Sequence, residues 1–514
     1  MQKITLSLFL ILFSVYVLPA QTSVGFHAQT DLRKTERDRL FVTMEVPKLN
    51  TSKTEFHFPK MVPGIYGELN FGMNVDSVWG IYSKNKRRLL PRKDTNSWHI
   101  PDAKKLVRVE YFVNDDFDDL ASYSGRMYKS ARSIFTADTV FVINNNSVFG
   151  FIPGYEKRPY EITFKKPAHL SASTSLTNTN TNDSISSYSA SSYAKLVDNP
   201  ILFADPDTSV IQLDDVRVTV AVYSTSGKKV AGSIAEKVAP LLKLQKQYLG
   251  GKLPVTTYNF LLYHFAASQP RPTFGEGLEH SASTVILLHM MMNEEEISRS
   301  VYGIASHEFL HTILPLALHS EEIENYNFSG PAMSRHLWLY EGMTEYFTMH
   351  IPVKGGAISY EEFYKTIEGK IAGMKEFDST LSLTSLSKLA VQRQDQYMNV
   401  YLRGALVSLC LDIRLRELSG GKLGVQELIA LLLKEYGVNK PFKDDELFDK
   451  IVAVSGHPEI REFIMKYIEG GFQPPLYENL IKTGLKLGPD GKISSDPNAS
   501  ASQRLLRRQW LGGN

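Results

Sequence analysis

The sequence has 514 residues, with 57 lysine and arginine residues against 55 aspartate and glutamate residues and a formal net charge of +2. This length predicts about two to four domains, and the balanced charge argues against a nucleic-acid-binding or polybasic membrane-binding protein. The single cysteine, Cys410, excludes an intrachain disulfide and an all-cysteine metal cluster. Any metal site in this chain must therefore use histidine, aspartate and glutamate.

The first residues have the composition of an export signal. Lys3 precedes an apolar run over residues 4–18, and the small residue Ala20 stands before Gln21. The run is short for a membrane span and polar sequence follows it, so we expect a cleaved signal peptide over residues 1–20 rather than an uncleaved anchor. No later segment has the roughly 20 apolar residues that span a bilayer. We therefore expect an exported protein, periplasmic or secreted, whose mature form has no membrane span.

Residues 21–224 carry the patterns of a β-rich domain. Apolar and polar side chains alternate over residues 41–46 and 107–113, which is the period of half-buried strands. Pro63-Gly64 indicates a turn. The stretch 170–193, rich in serine, threonine and asparagine, is interpreted as a loop plus an edge strand, with a disordered linker as the alternative. These patterns predict an N-terminal β-sandwich-like domain.

After residue 224 the pattern changes to that of a mixed domain. Residues 231–249 have helical spacing, and residues 257–265 and 284–289 are typical of buried strands. Further helices are predicted over residues 295–314, 336–350, 359–375, 398–418 and 424–436. Strands followed by helices indicate an α+β architecture, with a small sheet plus helices over residues 225–487. Residues 488–514 show no clear periodic pattern and are expected to form a C-terminal tail.

A His-Glu-x-x-His motif lies in the segment Ser306-His-Glu-Phe-Leu-His311. On a helix, His307 and His311 are four residues apart, so both imidazoles project from one face and can bind one ion. Glu308 is then placed to take a proton from a metal-activated water. The alternative, two histidines with incidental spacing, is disfavoured by the apolar residues around the motif.

A catalytic zinc needs a third protein ligand and one open position. The amphipathic segment over residues 338–347 offers Glu341 as that ligand. Glu345 lies one helical turn further on the same face, where it could hold a ligand histidine by its second ring nitrogen or simply be solvated. Nearby alternatives for the third ligand are His319, His336 and His350.

Two weaker motifs accompany the histidines. Gly275-Glu-Gly-Leu-Glu-His280 precedes the strand predicted over residues 284–289, and Glu279 on an edge strand beside the metal could bind a substrate ammonium group. The alternative for this motif is a glycine-rich turn. Tyr401, in Tyr401-Leu-Arg-Gly-Ala405, begins a predicted helix and could donate a hydrogen bond to a developing oxyanion.

Together these motifs resemble those of the gluzincin peptidases, most closely the bacterial glycyl aminopeptidase family and more distantly aminopeptidase N and leukotriene A4 hydrolase. The resemblance implies one zinc ion per chain, held by His307, His311 and Glu341. It implies that Glu308 is the general base and that Tyr401 stabilises the oxyanion. It also implies that Gly277 and Glu279 belong to the strand motif that anchors the substrate amine.

The resemblance covers most of the expected mature chain. Residues 59–66, 196–201 and 463–485 are similar to the family's proline-glycine-tyrosine segment, domain junction and helical end. Two departures stand out: no PDZ domain is expected after Leu487, and Thr312-Ile313 replaces the tryptophan that often follows the second histidine.

The sequence therefore predicts a β-sandwich-like domain followed by a thermolysin-like zinc peptidase domain. We expect a zinc-dependent aminopeptidase that acts on peptides and has no nucleic-acid partner. Two alternatives remain, a zinc endopeptidase that uses the same site and a catalytically inactive peptide-binding protein.

Overall fold

The computed structural model describes residues 24–35, 38–115, 128–265, 274–289 and 293–513. The predicted signal peptide lies outside these ranges. Among the helices within them, none combines the length and the apolar character needed to cross a membrane.

The N-terminal part consists of two larger packed β-sheets and one two-stranded sheet. Its strands are β1 (Phe26–Asp31), β2 (Arg39–Glu45), β3 (Thr54–His57), β4 (Val75–Tyr82), β5 (Lys86–Leu89), β6 (Ser97–Ile100), β7 (Leu106–Asn114), β8 (Ile134–Thr136), β9 (Val140–Ile143), β10 (Tyr160–Lys165), β11 (Ser171–Thr174), β12 (Thr177–Thr181), β13 (Ile185–Ala190) and β14 (Ile201–Ala204), with the short helices α1 (Asn145–Val148) and α2 (Tyr193–Val197). An eight-stranded sheet has the order β12-β13-β10-β1-β2-β7-β4-β5, and a four-stranded sheet has the order β11-β14-β9-β8. Alternate side chains such as Val42, Val109 and Phe203 form one buried core. The β-sandwich-like prediction is confirmed.

The polar stretch over residues 170–193 contains more strand than the sequence indicates. It forms β11, β12 and β13, where β12 pairs only with β13 and is the edge of the larger sheet. Every residue of β12 is exposed. Because β12 buries no side chain, its sequence has no alternation of apolar and polar residues that would predict a strand.

The second part combines a five-stranded sheet, a two-stranded sheet and a group of helices. Its elements are β15 (Thr208–Leu213), β16 (Val216–Ser224), α3 (Ala231–Tyr248), β17 (Thr257–Phe265), β18 (Phe274–His280), β19 (Ser283–His289), α4 (Glu294–Glu308), α5 (Glu321–Glu324), α6 (Thr344–Lys354), α7 (Tyr360–Met374), α8 (Leu383–Lys388), α9 (Tyr397–Ser419), α10 (Val425–Glu435), α11 (Leu447–Ser455), α12 (Ile460–Tyr467), α13 (Leu476–Lys482), β20 (Leu485–Leu487), β21 (Ile493–Ser495) and α14 (Ala501–Leu511). The predicted α+β architecture is confirmed.

The five-stranded sheet of the second part has the order β15-β16-β17-β19-β18 and lies at the boundary with the N-terminal part. One face packs on α3 and α4 through residues such as Val220, Ile286 and Val301. The other face packs on the four-stranded sheet, where Leu287 shares a buried cluster with Val142. The five-stranded sheet is therefore covered on both faces, and its two edge strands are β15 and β18.

Two predicted helices differ from the structure where the motif residues lie. The helix predicted over residues 295–314 ends as an α-helix at Glu308, and a tighter 3₁₀ turn, Phe309–Thr312, carries the second histidine. The helix predicted over residues 336–350 begins with a π-helical turn, Trp338–Met343, before α6. Hydrophobic spacing does not distinguish these variants, because all three helix types place residues three to five apart on one face.

The residues after Leu487 are not an irregular tail. They include β21 and α14, and α14 begins with a capping box in which Ser500 accepts from the Gln503 N–H. Trp510 and Leu511 are fully buried in the core of the helical domain. The helix has only three turns and its remaining face is polar, so its apolar residues form no repeating pattern in the sequence.

Candidate metal centre and substrate cleft

Helix α4 presents the first histidine and the adjacent glutamate. The Asn293 side chain accepts from the Glu296 N–H at 2.9 Å, and the Glu296 carboxylate accepts from the Asn293 N–H at 2.8 Å, which is a capping box. Apolar residues of α4 pack on the sheet and fix the helix orientation. As a result, His307 and Glu308 stand at its C-terminal end, beside the edge strand β18.

The rings of His307 and His311 are close enough to share one ion. Their centroids are 4.7 Å apart and the rings are nearly perpendicular. Glu341, on the π-helical turn, directs Oε2 at both of them, 3.2 Å from Nε2 of His307 and 3.6 Å from Nε2 of His311. One ligand atom from each of the three residues lies within 4.8 Å of the others. The structure therefore brings the three predicted ligands together.

Both imidazoles have their second nitrogen occupied. Nδ1 of His307 lies 3.0 Å from Oε2 of Glu345, and Nδ1 of His311 lies 2.6 Å from the carbonyl oxygen of Leu314. These acceptors on Nδ1 direct Nε2 of each histidine toward Glu341. Burial lowers the pKa of His311 to about 4, whereas at His307 burial is outweighed by the hydrogen bonds to Glu341 and Glu345, which raise the pKa well above its usual range. Two imidazole nitrogens and a carboxylate are the donor set of a catalytic zinc site, and the residues present fit that ion.

Glu345 is itself held from the other side. Its Oε1 accepts from the ammonium group of Lys370, a residue of α7 that is largely buried. The pKa of Glu345 is lowered to about 2: burial opposes the shift, and the His307 hydrogen bond and the Lys370 charge outweigh it. The carboxylate is thus ionised and fixed as an acceptor for His307.

The three alternative histidines do not join this group. His319 lies 3.0 Å from Glu324 through Nε2, and Nε2 of His336 lies 2.7 Å from the carbonyl oxygen of Asp444. His350 lies between the hydroxyl of Tyr248 and the carbonyl oxygen of Trp510. Within the described ranges, none of the three belongs to a cluster of converging ligand atoms.

Three buried carboxylates, those of Glu279, Glu308 and Glu341, lie close together in the site. Burial raises the pKa of Glu308 to about 7 and raises that of Glu279 well above its usual range, with Glu341 adding repulsion in both cases. The pKa of Glu341 is instead lowered, because the two histidines outweigh its burial. Oε2 of Glu308 is buried and has no hydrogen-bond partner. A divalent cation would offset this excess of negative charge.

Glu279 and Gly277 lie on the edge strand and face the same cleft, which has a volume of about 350 Å³. A Cβ atom at Gly277 would lie 2.4 Å from the Glu308 carboxylate. On the opposite side, Gly64 of the N-terminal domain lies directly against the Glu279 carboxylate, at a φ of +81° that favours glycine. The carboxylate of Glu279 is therefore enclosed between the two domains and exposed only to the cleft.

Tyr401 lies in the first turns of α9 and stacks on the ring of His307, with centroids 5.6 Å apart. Its hydroxyl lies 2.6 Å from the hydroxyl of Tyr397. Helix α9 approaches the π-helical turn closely because Gly404 and Gly342 face each other, and a Cβ at Gly342 would lie 2.6 Å from Cα of Gly404. This close packing places the Tyr401 hydroxyl group beside the three candidate ligands.

Sequence reasoning missed the contacts of several residues in and around the cleft. Tyr66 donates its hydroxyl proton to Oε1 of Glu341 at 3.2 Å, and Tyr128 donates to Gln394 at 3.2 Å. Glu276 accepts from the backbone N–H of Lys129 at 2.6 Å and so ties the N-terminal domain to the edge strand. The turn before Tyr66 was visible in the sequence, but its contact depends on how the two domains pack.

Two family models match the chain, and both describe the same peptidase family. The Peptidase M61 N-terminal domain matches residues 27–205, and the M61 glycyl aminopeptidase model matches residues 300–407. The two matches together cover more than half of the chain and include the histidine motif. The chain is a zinc metallopeptidase of the aminopeptidase type. It belongs to the M61 glycyl aminopeptidase family.

Solved structures share this fold at low sequence identity. An aminopeptidase N family protein from Idiomarina loihiensis is 20% identical with a TM-score of 0.75, over 90% of this chain and 78% of that chain. An M1 zinc metallopeptidase from Deinococcus radiodurans is 13% identical with a TM-score of 0.53, over 88% and 94%. Native yeast LTA4 hydrolase is 13% identical with a TM-score of 0.54, over 90% and 70%. Among curated protein sequences, none matches significantly.

Proposed function

We propose that this protein removes single residues from the free N-terminus of peptides and that one zinc ion is held by His307, His311 and Glu341. The observation that carries the proposal is one cleft that contains both a three-residue ligand set and the enclosed carboxylate of Glu279. The ligand set suits a metal-assisted hydrolysis of the peptide bond, and the carboxylate suits binding of a free substrate amine. The M1 zinc metallopeptidase from Deinococcus radiodurans, in a variant form, has been solved with a bound Tyr-Ser-Ala substrate, and a peptide substrate is consistent with this cleft.

Zinc, when bound, supplies the Lewis acidity that polarises the scissile carbonyl and activates water. The chain's own residues prepare for it. Glu345 and the Leu314 carbonyl accept from Nδ1 of the two histidines, so Nε2 of each ring is the nitrogen that faces the ion position.

Glu308 acts as the general base. Its Oε2 is buried and free of protein partners, so it can accept a proton from the attacking water. The same carboxyl group then gives that proton to the leaving amine. Gly277 has no side chain to intervene between the Glu308 carboxylate and the edge strand.

Tyr401 stabilises the negative charge that develops on the carbonyl oxygen. Its phenol is fixed by stacking on His307 and by the hydroxyl of Tyr397, so it needs little reorganisation before it donates. Burial and the charge of Glu341 raise the pKa of this phenol well above its usual range, which keeps it protonated as a donor.

Glu279 binds the substrate ammonium group. A carboxylate that is buried among other carboxylates gains most from a cationic partner. Gly64 lies against this carboxylate and covers it on the side of the N-terminal domain. An acetylated N-terminus would lose the charge that Glu279 pairs with.

The test compares amino-acid anilide reporters with free and N-acetylated amino groups. We expect EDTA to abolish hydrolysis, the blocked reporters to be inert, and Glu308→Gln to lower kcat by about 10²–10⁴-fold while retaining zinc. Glu295→Gln, on the exposed side of the same helix, is the matched control. Cleavage of blocked peptides at equal rate would instead favour the endopeptidase, and a protein with neither zinc nor activity would favour the inactive binding protein.

We also propose that the protein is exported. The support is the composition of residues 1–20, in which Lys3 precedes an apolar run and Ala20 precedes Gln21. In a bacterial host, N-terminal sequencing of the mature protein should begin at Gln21, and fractionation should recover it from the periplasm or the medium. A cytoplasmic protein that retains Lys3 would contradict the proposal.

A further inference from the structure

Tyr66 of the N-terminal domain reaches the candidate metal centre of the second domain. Its hydroxyl lies 3.2 Å from Oε1 of Glu341, and the whole side chain is buried. The other oxygen, Oε2, is the one that faces His307 and His311. The two oxygens of Glu341 thus have different partners, and the phenol donates to the oxygen that points away from the histidines.

The side chain of Tyr66 belongs to the core of the helical domain although its backbone belongs to the other one. It is part of the same buried cluster as Trp338 and Tyr346. Its ring packs against Tyr397 of α9, with centroids 5.8 Å apart. This inserted position means that the hydroxyl can be aimed at Glu341 only while the two domains are packed together.

A short turn and one amide hold Tyr66 in this position. Pro63 and Gly64 occupy the middle of a turn closed by the Ile65 N–H and the Val62 carbonyl at 3.2 Å, and Gly64 has the positive φ that such a turn requires. Gln394 then donates from its side-chain amide to the carbonyl oxygen of Tyr66. The backbone is thereby fixed from both domains.

We propose that Tyr66 is a positioning residue for Glu341, through which packing of the N-terminal domain raises the zinc affinity of the second domain. The proposal rests on the ligand set given under Proposed function. A carboxylate that is a zinc ligand through one oxygen gains orientation from a hydrogen bond to the other, and removal of such a partner typically weakens metal binding by about 10–100-fold. Because coupling between two equilibria is reciprocal, bound zinc also stabilises the packing of the two domains.

The test is Tyr66→Phe in the full chain, which removes the hydroxyl and keeps the ring. Zinc affinity is measured by competition with a chromogenic chelator, and kcat and KM are measured with and without excess zinc. Tyr193→Phe is the matched control, because it removes a fully buried hydroxyl of the N-terminal domain that donates to the carbonyl oxygen of Phe149 and not to Glu341 or Gln394. We expect Tyr66→Phe to bind zinc at least about tenfold more weakly, to lose activity at limiting zinc and to recover kcat in excess zinc, while Tyr193→Phe keeps wild-type zinc affinity.

The outcomes separate the inference from the proposed function. If Tyr66→Phe binds zinc within twofold of the wild type, or if Tyr193→Phe weakens zinc binding equally, the positioning role is wrong. A higher KM at unchanged zinc affinity would also overturn it, because Tyr66 would then act on the substrate. If the wild-type protein binds no zinc, the proposed function itself fails. Thermal unfolding of each variant in chelator distinguishes weak zinc binding from a failure to fold.

Discussion

Gly277 and Glu308 are in contact only because residue 277 has no side chain. A Cβ atom built on Gly277 would lie 2.4 Å from Oε1 of Glu308 and 2.5 Å from its Cδ, far inside van der Waals contact. Both residues are confined, since Gly277 is paired with Ile286 in the sheet and Glu308 is the last residue of α4. The edge strand therefore determines where the carboxylate of the general base can lie.

The substitution Gly277→Ala is expected to displace the Glu308 carboxylate without removing a zinc ligand. A displacement of about 1 Å in a reacting group can lower the rate by about 10²-fold, so kcat should fall by roughly that factor while zinc content stays at the wild-type level. Steady-state kinetics and metal analysis measure the two effects. Gly369→Ala, at a helical glycine whose added Cβ would meet nothing within 4 Å, is the control. Unchanged kcat in Gly277→Ala would show that Glu308 has another productive position.

Removal of the Glu345 carboxylate should weaken zinc binding more than its neutralisation does. Glu345→Gln keeps an oxygen that can accept from Nδ1 of His307, whereas Glu345→Ala leaves that nitrogen without its acceptor. We expect zinc affinity to fall by about 10–100-fold in Glu345→Ala and by less in Glu345→Gln. Chelator competition measures both values, and Glu361→Ala on the next helix is the control. Equal zinc affinity in all variants would mean that Glu345 has no role in orienting His307.

The parts of the site that the sequence predicts are those formed by local spacing. His307, Glu308 and His311 are close in the chain, so a helix-like backbone of any type brings them together. Glu341 and Glu345 follow the same rule on the next helix. The sequence could not predict that these glutamates lie beside the two histidines. That arrangement depends on the close contact between Gly342 and Gly404 and on a π-helical turn.

The parts that could not be predicted depend on packing between distant segments. Tyr66 and Glu341 are 275 residues apart and lie in different domains. The C-terminal helix α14 is too short for its apolar residues to form a repeating pattern in the sequence. Only the burial of Trp510 shows that the helix belongs to the core. In the fold, the strands predicted over residues 41–46, 107–113, 257–265 and 284–289 lie within two residues of the bounds of β2, β7, β17 and β19. The stretch predicted as a loop plus an edge strand forms three strands, because the exposed strand β12 buries nothing and has no alternation that would reveal it.

The stability of the fold should decrease in mild acid because of the buried neutral residue His350. Burial lowers the pKa of His350 to about 4, while its ordinary value is 6.5. Between these values the unfolded chain binds a proton that the folded chain does not, so the free energy of unfolding falls as pH falls from about 6.5 to about 4. His350→Gln should make this dependence shallower, as measured by urea unfolding in chelator at several pH values. His27→Gln, at a half-exposed histidine, is the control. An unchanged pH slope in His350→Gln would contradict the assignment.

The C-terminal helix should be an integral part of the peptidase domain. Trp510 is fully buried, its indole N–H donates to the hydroxyl of Tyr346 at 2.9 Å, and its carbonyl oxygen accepts from His350. Loss of a buried tryptophan typically lowers the free energy of unfolding by about 3–5 kcal/mol, so Trp510→Ala should unfold at clearly lower urea concentration. Leu505→Ala, on the exposed face of the same helix, should unfold like the wild type. If both variants match the wild type, the helix is dispensable for the fold. If Trp510→Ala is destabilised but its folded fraction keeps wild-type kcat, the helix contributes to stability and not to the arrangement of the site.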